Sequence, residues 1–459
     1  MKFKYSEEEK EINRVLKYHK EETEELLKLN DDMKRELDIQ INESKKILVS
    51  LGYGNKLESV QNMEEIKEKT IISIPNWEKL SYEAMKKVGN NCKLEDIFTE
   101  KEIKDNKDYI NCLIREYNSL YELDAVDYCI SAFAGIISVI VDILMIGIPK
   151  ATTDGLKASS LSNYIREEFN KKFPKSEMEK LANSKLSKVP YDAQDNRNTL
   201  KHVEGLSTYY HRLLSLGHDP LLGFVVGIFD ILTGKMTTID KSGKIISQVM
   251  ENYSDRKEMN IFTAISKQVI HLKSDMTTSM GLPVPLMGLF NLLNVGNIGE
   301  QNQTIAEIVQ GMYYEGYDFI HFCSMAIPTM IVEVIVRLFY AIKRIKEGYS
   351  LKDSLPFSLN REKNPKLSTM LFIAHSASVA INAGKVYFQS GNPLAINYPE
   401  WVAFGKYSYK QLKWLLIEKP NLIEKYVEGK INEEIKEIYV NTENIFQEFS
   451  RDYMFVFNK

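Results

Sequence analysis

The stretch CISAFAGIISVIVDILMIGIP, residues 129–149, is apolar over a length able to cross a bilayer. Read as a span, it makes a membrane protein. Read as core, it makes a helical bundle. The residues that interrupt the run favour the bundle. Asp124, Asp127, Ser131, Gly135, Ser138 and Asp142 recur every three or four positions and so share one helical face. Hydrocarbon does not tolerate such a stripe unpaired, whereas a bundle interior that supplies partners does.

A second apolar run, FIHFCSMAIPTMIVEVIVRLFY, covers 319–340. It carries Glu333 and Arg337 at i,i+4 spacing, a pair able to neutralise itself, and Pro328, which is expected to bend it. Lys150 follows the first run, and Lys343, Arg344 and Lys346 follow the second. If basic ends stay on one side, both runs point the same way and the chain needs another crossing between them. The apolar runs at 221–233 and 281–293 are too short for that. A small-residue helix follows in MLFIAHSASVAINAGKVYF, residues 370–388. Its polar stripe runs through His375, Ser378, Asn382 and Lys385. The expected fold class is therefore all-α, a bundle with a very apolar centre.

Composition agrees with a globular chain. Its 459 residues are 27% charged and 44% hydrophobic, with formal net charge −4. That balance offers no field for nucleic acid, and no basic arm appears. Plentiful Lys, Ile, Asn and Glu with scarce Pro suggest a bacterial or phage source. Cys92, Cys112, Cys129 and Cys323 are scattered without CxxC spacing, so neither a zinc ribbon nor a disulfide framework is expected. The N-terminus shows no apolar signal segment.

Residues 6–48 read as one long charged amphipathic helix with a seam of alternating four- and three-residue spacing. It is expected to dock on its own body or to pair with a second copy. KMTTID-KSG-KIIS, 235–247, reads as a β-hairpin around a Gly turn and is the one strand signal. The expected division is helix 1–52, connector 53–123, apolar core 124–348, linker 349–366 and C-terminal helices 367–459. Asp142, Asp230 and Asn291 each follow a glycine in similar apolar surroundings, which raises a degenerate repeat. Acids near 124–142 and 230 are expected to meet His and Lys near 321 and 375–385. The expected polar core is Asp127, Asp142, Asp230, His321, His375 and Lys385, since carboxylates in an apolar centre need partners.

Chemistry gathers at SLGHDPLLG, residues 215–223. His202, His211 and His218 lie close in sequence, with Asp219 beside the last. Imidazole and carboxylate together suit a hydrated divalent ion. His211, His218 and Asp219 are thus the candidate catalytic residues, and His218, Asp219 and His202 the candidate metal ligands. The dyad alone resembles that of HD-type phosphohydrolases, and the continuation Pro-Leu-Leu-Gly departs from that family. Capping offers the competing explanation: Asp219 before Pro220 suits a helix N-cap, and on that account Asp219→Asn costs only a few tenths of a kcal/mol. Gly223 and Gly227, four apart on the face of Asp230, suit close backbone approach. No P-loop, GxSxG, HExxH or Rossmann fingerprint is present.

The leading expectation is a membrane-engaging or membrane-inserting helical protein, effector- or toxin-like, cytoplasmic or at the inner membrane. Its expected partners are a membrane or partner helices, with no nucleic acid, and a homo-oligomer through residues 6–48. The alternatives are a metal-dependent hydrolase with a divalent cofactor and a non-enzymatic helical scaffold.

Overall fold

The computed structural model describes residues 5–54, 70–153, 155–278, 280–298 and 302–457. Helices dominate. In chain order, α1 (Glu7–Ser50) leads to β1 (Thr70–Ile74), α2 (Trp77–Val88), α3 (Glu100–Ser119) and α4 (Ala125–Val141). Strands β2 (Lys150–Thr152) and β3 (Gly155–Lys157) precede α5 (Ser160–Lys172), α6 (Lys175–Ala182), α7 (His211–Leu214) and α8 (Val226–Thr233). Next come β4 (Lys235–Ile239), β5 (Ile245–Val249), α9 (Ile261–Asp275), α10 (Ile305–Tyr314), α11 (Phe319–Lys346) and α12 (Leu351–Ser354). The chain ends with α13 (Leu367–Phe388), α14 (Tyr398–Lys413), α15 (Lys419–Asp452) and β6 (Tyr453–Phe457).

The chain divides into two compact units, one of residues 1–119 with 419–459 and one of residues 120–418. In the first, α1 starts at a capping box, with Ser6 accepting from Glu9 N–H and Glu9 accepting from Ser6 N–H. Its early turns dock on α2 and α3, where Lys87 pairs with Glu22 at 2.8 Å and Lys20 with Glu102 at 2.7 Å. From Thr23 to Ser50 the helix is exposed, including Leu26, Met33, Leu37 and Ile47. β1 and β6 pair in parallel, Thr70 opposite Tyr453 through Ile74 opposite Phe457.

The second unit is built on α4, α11, α13 and α14. α4 opens with a second capping box, Asp124 accepting from Asp127 N–H and Asp127 accepting from Asp124 N–H. It closes in a π-helical turn at Asp142–Ile146, followed by Gly147 at φ +70°. A side chain at Gly147 would also collide with Ser159, so glycine is required there twice over. Ala134, Val332, Val336, Tyr340, Leu371, Ala374 and Tyr407 form the bundle core. Gly135 lets α4 and α13 approach closely: a Cβ there would lie 2.6 Å from the Ala374 carbonyl.

The polar stripe of α4 faces this interior. Lys343, at the end of α11, reaches Asp124 at 2.5 Å and Asp127 at 2.7 Å, so α4 and α11 run antiparallel. The basic residues that follow the two apolar runs therefore lie at opposite ends of the pair, so the condition under which both runs would point the same way is not met. α13 runs parallel to α4, with Lys366 3.9 Å from Asp127 at one end and Lys385 2.6 Å from Asp142 at the other. Among the described residues three helices, Ala125–Ile146, α11 and α13, are long and apolar enough to cross a membrane.

The hairpin at 235–249 forms as read, Lys235 opposite Val249 and Ile239 opposite Ile245. It is not the only sheet. β1–β6 and β2–β3 are two further two-stranded pairs, each lacking the alternation that makes a strand legible.

Candidate metal centre

His271 and Asp275 stand one turn apart on α9, so both side chains leave the same face. His211 is the first residue of α7, and His218 ends a 3-10 turn at Leu216–His218. Asp192 lies in an irregular segment whose alternate residues Val189, Tyr191 and Ala193 are buried. The Tyr191 ring meets His218 and His271 edge-on, at 5.1 and 5.4 Å between centroids. Gly217 makes room for it, since a Cβ there would fall 2.6 Å from that ring. Gln268 of α9 locks the same corner, accepting from the Tyr191 hydroxyl and donating to the Gly217 carbonyl at 2.8 Å. Gly223 and Gly227 admit Gln268, for a Cβ on either would approach its amide to 2.6 and 2.5 Å.

These segments bring together Asp192, His218 and His271, whose ligand atoms lie within 4.8 Å of one another, with His211 and Asp275 beside them. His211 Nε2 and His218 Nε2 each lie 3.6 Å from Asp192 Oδ1. His218 Nε2 is 3.8 Å and His271 Nε2 3.6 Å from Asp275 Oδ2. Such separations are too long for hydrogen bonds. They suit atoms sharing one ion, because ligands about 2.1 Å from a metal stand about 3.4–3.6 Å apart. Both His218 nitrogens, His211 Nε2, His271 Nε2 and Asp275 Oδ2 are buried and have no hydrogen-bond partner among the described residues.

The surrounding contacts aim the lone pairs inward. His211 Nδ1 meets the Thr208 carbonyl at 3.0 Å and His271 Nδ1 the Ser187 carbonyl at 2.8 Å. A carbonyl only accepts, so each Nδ1 carries the proton and each Nε2 is free to ligate. Arg212 donates to Asp275 Oδ1 at 3.1 Å and to the Gly281 carbonyl at 3.2 Å, which turns Oδ2 towards the histidines. Burial pushes His211 down to about 4 and His218 below its ordinary value, so both are neutral near pH 7. Asp192 is the open side of the cluster, its side chain 27% exposed.

Of the residues singled out in the sequence, His211 and His218 belong to this cluster and Asp219 and His202 do not. His202 is exposed. Asp219 is not a helix N-cap, since the next turn, Leu222–Phe224, has Leu221 in that place; it holds backbone instead, Oδ1 accepting from Leu221 and Leu222 N–H, both at 2.9 Å, and Oδ2 from Leu286 N–H at 2.6 Å. Burial raises its carboxyl, and those three N–H groups oppose the rise. The third bond alters one expectation. Asn at 219 would set an NH2 or lose an acceptor against a backbone donor, a cost of about 1–3 kcal/mol. Asp219→Asn is therefore expected to lower the melting temperature while leaving metal stoichiometry unchanged, read by calorimetry and metal analysis of one preparation.

The expected polar core separates into five sites. Asp127 binds Lys343, and Asp142 binds Lys385 and Asn397. His375 stands between Glu400, 3.4 Å away, and Glu333, 3.8 Å away. His321 meets Ser162 at 3.0 Å, beside the bidentate Arg166–Asp318 pair at 2.8 Å. Asp230 and His321 do not meet the Asp142–Lys385 pair. Asp230 instead accepts from Thr237 N–H and Oγ1–H at 2.8 Å, and burial pushes it up to about 6. Nor does a repeat survive: Asp142 sits in a π turn, Asp230 in α8, and Asn291 in a 3-10 turn bonded to Gln310 at 2.9 Å.

Comparison of the chain with protein-family models, with curated proteins and with solved structures finds no match. The site's chemistry has to speak for itself.

Proposed function

We propose that this chain is a metal-dependent hydrolase whose helical body engages a membrane. One observation carries the enzymatic half: ligand atoms of Asp192, His218 and His271 lie within 4.8 Å of one another, and Nε2 of His211, His218 and His271 and Asp275 Oδ2 have no hydrogen bonds among the described residues. Three imidazoles with carboxylates favour a transition-metal dication such as zinc or manganese over magnesium or calcium. Such an ion, when bound, supplies Lewis acidity and a water acidic near neutral pH. Asp192, His218 and His271 would hold it, with His211 and Asp275 beside them, and Arg212 would keep Asp275 in place. Asp192, the part-exposed member of the set, would leave the solvent side of the ion open to water and substrate.

The test is hydrolysis of bis(p-nitrophenyl) phosphate, p-nitrophenyl phosphate and p-nitrophenyl acetate by chelated and by zinc- or manganese-loaded protein. At least one ester is expected to be cleaved only when metal is bound. Asp192→Asn is expected to slow that cleavage by about 100-fold or more. A fully loaded protein inert towards all three would make the site structural.

A second observation favours membrane engagement. α4 and α11 turn large apolar side chains outward, among them Phe133, Ile140 and Leu144 on α4 and its closing turn and Met330, Val334 and Leu338 on α11. Their charged residues face inward or pair at the helix ends, the reverse of a helix solvated by water. The setting this suggests is an effector-like protein at the cytoplasmic face of a membrane. Vesicle flotation of the purified chain tests it.

A further inference from the structure

The membrane reading leaves open whether the bundle crosses the bilayer or lies upon it. Three features of the second unit bear on this. On α4 and its closing turn the exposed row is Val126, Cys129, Phe133, Ile136, Ile140 and Ile143, and the acids Asp127 and Asp142 are buried on the other side. The neighbouring α11 exposes Met330, Val334, Leu338, Ile342 and Ile345 at helical spacing. No charge is exposed along either row between its ends, so each of these two neighbouring helices presents a long apolar row to the outside.

The rest of the bundle is different. α14 packs on α13 and α11 through Glu400 with His375, at 3.4 Å, and through Tyr407 with Glu333. Its middle carries Lys406, exposed to solvent, and its last turn Lys410 and Lys413. A bundle wrapped in lipid on every side would carry the Lys406 ammonium to the hydrocarbon centre, where it is unfavourable. A bundle lying flat keeps it in water.

Charge marks one end of the apolar face. Arg344 and Lys346 end α11 and Lys363 precedes α13 at the same place, where Arg344 donates to the Lys363 carbonyl at 2.8 Å; the adjacent Lys343 and Lys366 are held by Asp124 and Asp127. The connection at 389–397, by contrast, contains no charged residue. Basic groups beside an apolar face match an anionic leaflet, which adds electrostatic attraction to apolar burial.

We infer that the α4–α11 face rests in one leaflet of an anionic bilayer, with the bundle lying along the membrane surface and α14 in water. This rests on the membrane reading and adds the face, the depth and the lipid charge. Burying the face in one leaflet needs no rearrangement of the paired polar groups inside the bundle.

Native thiols and lysines report the arrangement directly. The full chain is mixed with preformed vesicles of phosphatidylcholine, with or without phosphatidylserine, floated, and exposed to water-soluble thiol- and amine-modifying reagents. Modified positions are then read by mass spectrometry. The chain is expected to float with the phosphatidylserine vesicles and at least about tenfold less without them. On those vesicles Cys129 should lose its reaction, while Cys112 and Lys406 keep the reactivity they have in free protein. Phe133→Glu, at an exposed position, should abolish flotation with an unchanged melting temperature. Protection of Lys406 together with Cys129 would overturn the single-leaflet arrangement in favour of a spanning bundle and leave membrane engagement standing. Absence of flotation on any vesicle would overturn both. So would Cys129 already protected in a lipid-free dimer, because a second copy would then cover the face.

Discussion

His218→Ala is expected to lower the affinity for zinc by more than about 100-fold, since losing even a residue that only hydrogen-bonds a ligand typically costs about 10–100-fold. The imidazole is fully buried and neither nitrogen is hydrogen-bonded among the described residues, so no other described group depends on its polarity. Calorimetric titration reads the affinity. Scanning gives an independent view, because a ligand present at about 1,000 times its dissociation constant stabilises the folded state by about 4 kcal/mol. In the parent protein, chelation should lower the melting temperature by about 10 °C, at roughly 2–4 °C per kcal/mol for a unit of this size. In His218→Ala that difference should vanish. A variant that binds zinc as tightly as the parent would make the histidine cluster a packing feature.

The second large effect lies in the bundle. Lys385→Met removes the ammonium 2.6 Å from Asp142 and leaves the carboxylate buried, with Asn397 at 2.8 Å as its main remaining donor. Stranding a buried charge costs about 3–5 kcal/mol, which here means a loss of about 10 °C or more. Adding Asp142→Leu should recover most of it, because removing both charges is often neutral where removing one is not. A double-mutant cycle by thermal unfolding checks this. Equal melting temperatures for the parent and the single variant would mean that Asp142 is not dependent on Lys385.

Local grammar made much of the fold legible. Ser6 with Glu9, Asp124 with Asp127 and Thr304 with Glu307 are capping boxes visible in the letters, and each starts a helix. The polar stripe of α4 was readable because its period is helical, and the hairpin because Asp240 to Gly243 interrupts an alternating pattern. Direction was not readable. Whether α4 and α11 run parallel depends on Lys343 reaching Asp127, a partner 216 positions away, and no local pattern encodes that. The parallel β1–β6 pair, joining Thr70–Ile74 to Tyr453–Phe457, is hidden for the same reason.

At the site, His211 and His218 were visible as neighbours, and their partners were not. His271 and Asp275 in HLKSD are four apart, a spacing that puts two ligand types on one helical face and could have found them. Asp192 had no signal, since the YDAQD segment has no periodicity and only the Tyr191 packing against Gly217 carries it to the histidines. Asp219 drew attention because a carboxylate beside a histidine looks like a ligand. Three backbone N–H groups claim it first.

Metal content tests the central claim most directly. The chain, purified without affinity tags or chelators and then dialysed against zinc and exhaustively against buffer, is assayed by inductively coupled plasma mass spectrometry. The account requires close to one transition-metal ion per chain, falling to background in His271→Ala and unchanged in His202→Ala. No retained metal in the parent protein, or equal retention in the parent and His271→Ala, would contradict it.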